Sequence, residues 1–267
     1  MQKLITDNSW IERIARFGYA VKGVVYFIVA LLAMPVALGI GGEAAGTSDA
    51  LQIIVAQPLG KFLLTIVAVG LTSYAVWRFV QAFVDPEHRG SQANRVIPRL
   101  GYAISGASYA GLAVTAMQII AGAGSHSSSW RQDWTARLLA QPFGQWLVGI
   151  VGAIVLGIGV SFTYLAFTKR FRQRLQLTQM STAGVKWAMG IGRFGVTARG
   201  VAFGVIGLLL IQAAVQSDPD EVQGLGGALQ TLAEEPFGRL LLGIIAIGLV
   251  AYAIHLLILS RYRRIRI

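Results

Sequence analysis

Six blocks of about 20 mostly apolar residues run along the chain, at 17–39, 60–83, 100–122, 143–167, 194–216 and 238–259. A helix rises ~1.5 Å per residue, so each block is long enough to cross a hydrocarbon core of ~30 Å. The pattern predicts an all-α membrane protein with six transmembrane helices, forming a single membrane domain over 1–267. The first block is too long for the apolar core of a cleavable signal peptide, and the "GIGGEAAG" that follows carries no convincing cleavage pattern.

The polar edges of these blocks repeat. "RFGYAVKGVVY" (Arg16–Tyr26) aligns without gaps to "RLGYAISGASY" (Arg99–Tyr109) and "RFGVTARGVAF" (Arg193–Phe203). A second motif, "DALQIIVAQPLG" (Asp49–Gly60), recurs as "DWTARLLAQPFG" (Asp133–Gly144) and "GALQTLAEEPFG" (Gly227–Gly238). The separations between the two motif glycines are 42, 43 and 43 residues. Two motifs in one order at such constant spacing define tandem repeats, near 10–84, 93–168 and 187–262, with a basic linker at 168–191. Each repeat carries two spans, so all three insert the same way. The simplest arrangement is pseudo-threefold about the membrane normal.

In each repeat the outer loop carries a short apolar-polar stretch, and in the first an amphipathic helix is expected over Ser48–Ala56, capped by Ser48 or Asp49, with Leu51, Ile54 and Val55 on one face. Pro58, Pro142 and Pro236 fall where the second span can begin. Trp10 and Trp187 suit interfacial anchoring. Gly200/Gly204 and the Ala103, Ala107, Gly111 row have the small-residue spacing of close helix packing, within the chain or against a second copy.

Composition sharpens this reading. The chain is 55% hydrophobic and 13% charged, roughly half the ~25% charge of soluble domains. Its net charge of +11 is unevenly placed. The termini, the 84–99 and 168–193 loops and the adjoining helix ends hold 19 Lys/Arg and 4 Asp/Glu, against 4 and 8 on the other side. That asymmetry predicts cytoplasmic termini, and a basic face that attracts anionic head groups of membrane lipids. Nucleic acid is not an expected partner, because "KRFRQRLQ" is short and abuts a span.

The chemistry the chain lacks is equally informative. There is no cysteine, and the histidines, His88, His126 and His255, are scattered, so no metal site or cofactor is expected. "GIGRFG" (Gly190–Gly195) matches a dinucleotide fingerprint only in letters, since no strand precedes it. No HExxH, GxSxG or P-loop occurs, and no Asp or Glu lies in the six blocks. That weighs against a carboxylate-driven transporter and against intramembrane metal hydrolysis. The outer acids Asp218, Asp220, Glu221, Glu234 and Glu235 read as a solvated loop face.

The candidate polar groups come from the repeats. Arg16, Arg99 and Arg193 open the first helices, where they could meet lipid phosphates. Lys22, Ser105 and Arg199 are equivalent, ~9 Å deeper. The favoured reading has Lys22 and Arg199 snorkelling back to the interface; the alternative turns them inward onto an anionic head group or solute. His255 aligns with Trp77 and reads as a hydrogen-bonded intramembrane histidine. Tyr19 and Tyr102, with Tyr26 and Tyr109, recur on the first helices as core residues or as the lining of a lipid-sized pocket.

These repeated motifs resemble the bacterial membrane family known as domain of unknown function 1206, over about 10–262. The resemblance implies a six-span protein of the bacterial cytoplasmic membrane and brings no catalytic residue with it. The expected function is non-enzymatic: binding of lipid or another amphiphile, or a structural or regulatory role in the membrane. A channel or transporter for a small anionic or neutral solute is the alternative.

Overall fold

The computed structural model describes residues 9–42, 45–84, 92–122, 143–168, 181–216, 225–234 and 236–263. Among the described residues six helices are long and apolar: α1 (Ser9–Ala37), α3 (Gly60–Phe83), α4 (Gln92–Ile120), α5 (Gly144–Phe167), α6 (Thr182–Gln216) and α8 (Gly238–Tyr262). Two short helices, α2 (Thr47–Ala56) and α7 (Leu225–Glu234), precede the second spans of repeats one and three. Outside the described residues lie Asp133–Pro142 of the middle repeat, linker residues 169–180, His88, His126, Asp218, Asp220, Glu221 and Glu235.

The apolar pattern locates the second spans closely, but the first spans start earlier than their apolar blocks. Helices α1, α4 and α6 extend back to Ser9, Gln92 and Thr182. Helical backbone in the added turns satisfies its own N–H groups as the chain enters the bilayer. Trp10 and Trp187 stand exposed on these extensions. The α2 helix begins one residue before the predicted start, and the Asp49 carboxylate accepts the Gly46 N–H at 2.7 Å. Leu51 and Ile54 are buried on its inner face.

The prolines correct an expectation. Pro58 and Pro236 lie in the turn before the helix, not in its first turn. The N-cap residues that follow them, Leu59 and Phe237, adopt the left-handed conformation at φ 61°. A Cβ on the next residue, Gly60 or Gly238, would run into a carbonyl of the preceding short helix, Val55 or Leu232. Glycine is therefore what lets each short helix fold tightly onto its span. Phe143, at the same place in repeat two, has φ −114°.

Around the bundle the long helices follow the order α4, α3, α1, α8, α6, α5. First and second spans alternate, as a pseudo-threefold ring requires. Every second span packs on the first span of the next repeat: α3 on α4, α5 on α6, and α8 on α1. Within repeats, α1 packs on α3 and α6 on α8. Helices α4 and α5, the two spans of repeat two, do not pack on each other, so the ring is open at one seam.

Small residues make the closed seams. A Cβ on Gly18 would lie 2.7 Å from the Tyr74 backbone, and one on Gly195 would overlap the backbone of Tyr252. At Gly101, the repeat-two equivalent, nothing comes within 4 Å. Between repeats, Gly159 of α5 abuts Gly200 and Gly204 of α6, and Gly152 abuts Gly207. Lipid offers no hydrophobic drive for association, so such backbone approach supplies the dispersion that holds the helices. The Gly200/Gly204 pair thus packs inside the chain. By contrast, Ala107 and Gly111 of the α4 row are exposed.

Candidate functional site

Lys22 and Arg199 turn inward. Lys22 is 1% exposed and Arg199 9% exposed, so both side chains point into the bundle instead of snorkelling to the interface. The reason is aromatic. Lys22 Nζ donates to Tyr74 Oη at 3.0 Å and sits 4.4 Å from the ring centres of both Tyr74 and Tyr109. Tyr26 and Tyr252 lie behind, at 5.7 and 5.9 Å. Four rings around one ammonium supply electrostatic attraction that lipid cannot, and a phenolic oxygen accepts one of its protons.

Arg199 repeats the arrangement one seam over. It donates to Tyr252 Oη, with Tyr252, Phe162 and Phe203 ring centres at 4.9, 4.8 and 5.1 Å. Tyr74 and Tyr252 are equivalent in the repeats, as are Lys22 and Arg199. In each case a cation on the first span binds a tyrosine on the second span of its own repeat. Repeat two has Ser105 and Ile158 at these positions, and there the two spans do not pack.

A third cation was not singled out from the sequence. Arg78, near the end of α3, donates to Tyr74 Oη through Nε at 2.8 Å and to Gln81 Oε1 at 3.1 Å. Its guanidinium lies 5.2 Å from the Tyr102 ring centre on α4. Counted only as part of the basic end of a span, it gave no separate signal. Its i+4 relation to Tyr74, which the repeat comparison pairs with Tyr252, is the clue that could have found it.

Lys22, Arg78 and Arg199 are thus joined through the tyrosines. Tyr26 Oη lies 3.4 Å from Tyr109 Oη, and its ring meets that of Tyr252 edge-on at 5.0 Å. Arg16 forms an ion pair with Glu12 at the start of α1. The one carboxylate on the described spans, that Glu12, lies ten residues before Lys22 on α1 and is taken by Arg16. The Arg199 Nε is buried without a hydrogen-bond partner, as is Tyr19 Oη.

The motif arginines do something different. Arg16 donates to the carbonyls of Ser260 and Arg261, and Arg99 donates to those of Ala82 and Phe83 at 2.7 and 2.6 Å. Each caps the C-terminal end of the second span of the repeat before it in the ring, where carbonyls lack intrahelical partners. Arg193 is exposed. The structure therefore brings Lys22 and Arg199 together with Tyr19 and Tyr102 nearby, and leaves Arg16, Arg99 and Arg193 at the helix ends. Ser105 is half-buried on α4, and His255 is buried on α8. Beyond the last span, Arg263 lies 4.8 Å from the Tyr19 ring centre, and burial pushes its guanidinium down to about 10.

Replacing Tyr252 with phenylalanine keeps the ring contacts but leaves Arg199 without its phenolic acceptor. A stability loss of about 1–3 kcal/mol is expected in chemical denaturation of the detergent-solubilised protein. The same change at Tyr164, which is 73% exposed, should have no effect. Equal midpoints for both variants would refute the pairing.

No solved structure matches the chain. It is 34% identical to "Uncharacterized protein YxxB" of Bacillus subtilis (strain 168), over 98% of this chain and 95% of that protein. The family described as Domain of Unknown Function (DUF1206) matches three times, at residues 17–85, 100–169 and 194–263, one match per helix pair. Three copies of the family's unit, each ending where a second span of this chain ends, make the chain a member of that family.

Proposed function

We propose that the protein is a non-enzymatic membrane protein that holds an anionic amphiphile, best matched by an anionic membrane lipid, at Lys22, Arg78 and Arg199. The observation that carries this reading is two buried cations, Lys22 and Arg199, and the half-buried Arg78 on one tyrosine cluster, while the one carboxylate of the described spans, Glu12, is taken by Arg16. Burying a charge costs several kcal/mol unless it is paired, and tyrosine hydroxyls neutralise none of it. A phosphate or carboxylate arriving with the ligand would supply that neutralisation. The family resemblance and the basic bias of the terminal side support the bacterial cytoplasmic membrane as the location, with both termini in the cytoplasm and the cluster in the cytoplasmic half.

Gentle purification followed by lipid analysis tests this. Anionic lipid should be enriched over the bulk membrane by at least about tenfold, since two or three charges at about 1 kcal/mol each exceed the ~1.4 kcal/mol that a factor of ten requires. Arg199→Gln and Lys22→Met should each lower that enrichment. Co-purified lipid matching the bulk composition in the unaltered protein would overturn the reading.

The inward direction of both Lys22 and Arg199 also supports a second reading, passage of a small anion through the bundle. Flux of a small anion into liposomes, lost in Lys22→Met, would favour it. Flux equal to that of empty liposomes would eliminate it.

A further inference from the structure

The open seam of repeat two is written into the sequence, and it leads to the cations. In repeats one and three, Gly70 and Gly248 admit Val21 and Ala198: a Cβ on either glycine would run into the facing side chain. The equivalent residues of repeat two are Ile154 and Ile104, two branched side chains where the closed seams have one side chain and a glycine. They are 52% and 48% exposed. Ser105 and Ile158 remove the cation–tyrosine bond that ties the other two seams. Three positions therefore change together, each in the sense that keeps α4 and α5 apart.

Behind this cleft stand two guanidinium groups, one on each edge. Arg78 lies 5.2 Å from the ring centre of Tyr102 on α4, and Arg199 lies 4.8 Å from that of Phe162 on α5. Tyr102 and Phe162 are both half-buried, as residues at the mouth of an opening would be. Ile104 and Ile154 make the mouth apolar, the wall behind it is cationic, and the one acid of the described spans, Glu12, is paired with Arg16 near the start of α1. A small hydrated ion would have to cross lipid to reach such an opening. A membrane lipid is already there.

We propose that the α4/α5 cleft is a lateral port through which an anionic lipid enters from the bilayer. Its head group reaches Arg78 and Arg199, and its acyl chains lie along Ile104, Ile154 and Ile158. The port rests on the anion-binding reading above and adds the route and the lipid source.

The test uses bilayer discs of phosphatidylcholine carrying a trace of photoreactive phosphatidylglycerol or photoreactive phosphatidylcholine, with the diazirine on the acyl chain. Labelled positions are mapped by mass spectrometry. Phosphatidylglycerol should label the Ile104 and Ile154 segments about tenfold more than phosphatidylcholine does. Gly101→Trp, placed where a side chain meets nothing, should fill the cleft and remove most of that labelling, while labelling at the lipid-facing Val69 and Leu240 persists. A graft of the repeat-one residues, Ser105→Lys with Ile154→Gly and Ile158→Tyr, should close the seam and give the same loss. Millimolar inorganic phosphate should not compete; displacement by phosphate would assign the site to a free anion and overturn the port.

The two ideas fail differently. Equal cleft labelling by both lipids, unchanged in Arg199→Gln, would remove the anion-binding reading. Preferential phosphatidylglycerol labelling that depends on Arg199 but survives both Gly101→Trp and the graft would leave that reading standing and remove the port.

Discussion

Replacing Gly195 with leucine is expected to unfold the third repeat, while the same substitution at Gly101 leaves the protein folded. The two residues occupy the same place in their repeats. At Gly195 an added Cβ overlaps the backbone of Tyr252 and Ala251, which no rotamer change relieves. Helices α6 and α8 would have to separate, and with them the bond from Arg199 to Tyr252. Overpacking of this kind costs about 1–3 kcal/mol and more when backbone must move, and the lost bond adds to it. At Gly101 the side chain enters open space, and the change should stay within about 0.5 kcal/mol. Thermal unfolding of both variants in one mild detergent, with Gly18→Leu as a second closed-seam case, decides it. A comparable loss at Gly101 would mean that α4 and α5 pack in the membrane after all.

The second large effect concerns Lys22, and its direction separates a structural cation from a ligand-binding one. Methionine has a similar length and reaches the same tyrosine rings. Lys22→Met removes a buried charge that shares Tyr74 as acceptor with Arg78. Replacing buried ionic groups with apolar ones of similar volume is often stabilising, by about 1–4 kcal/mol. In neutral detergent the variant should therefore melt above the unaltered protein. Added phosphatidylglycerol should raise the Tm of the unaltered protein, by linkage to binding, and do much less for the variant. A lowered Tm in neutral detergent with an undiminished response to phosphatidylglycerol would make Lys22 a strut of the tyrosine cluster.

Much of the architecture is legible in the residues. Block length predicts the six spans, and the two motifs at near-constant spacing predict the repeats and the alternating ring, because both follow from local periodicity. The orientation of Lys22 does not. Six residues below the interface, a lysine can reach water or turn inward, and only the rings of Tyr74 and Tyr109 on neighbouring helices settle it. Those contacts cross 52 and 87 positions of chain, beyond any helical period. Arg16 and Arg99 were ambiguous for a related reason: a carbonyl at a helix end and a lipid phosphate offer an arginine much the same oxygen. The open seam carried a signal that the motif alignment alone left unread. Ser105 marks repeat two as different in the first span, but the change matters only with Ile154 and Ile158, which lie outside both motifs in the second.

The missing seam also divides the molecule mechanically. Helices α1, α3 and α4 form one wing and α5, α6 and α8 the other, and the long contact between the wings is α1 along α8, opposite the cleft. The division coincides with chain order, since every described residue before 123 belongs to the first wing and every one after 142 to the second. Each wing keeps its own cation with its own tyrosine: Lys22 with Tyr74, Arg199 with Tyr252. Rotation about the α1/α8 line would widen or narrow the cleft without breaking either pair. In outline the six helices form a clip whose closed side is the joint between the chain's first and last spans.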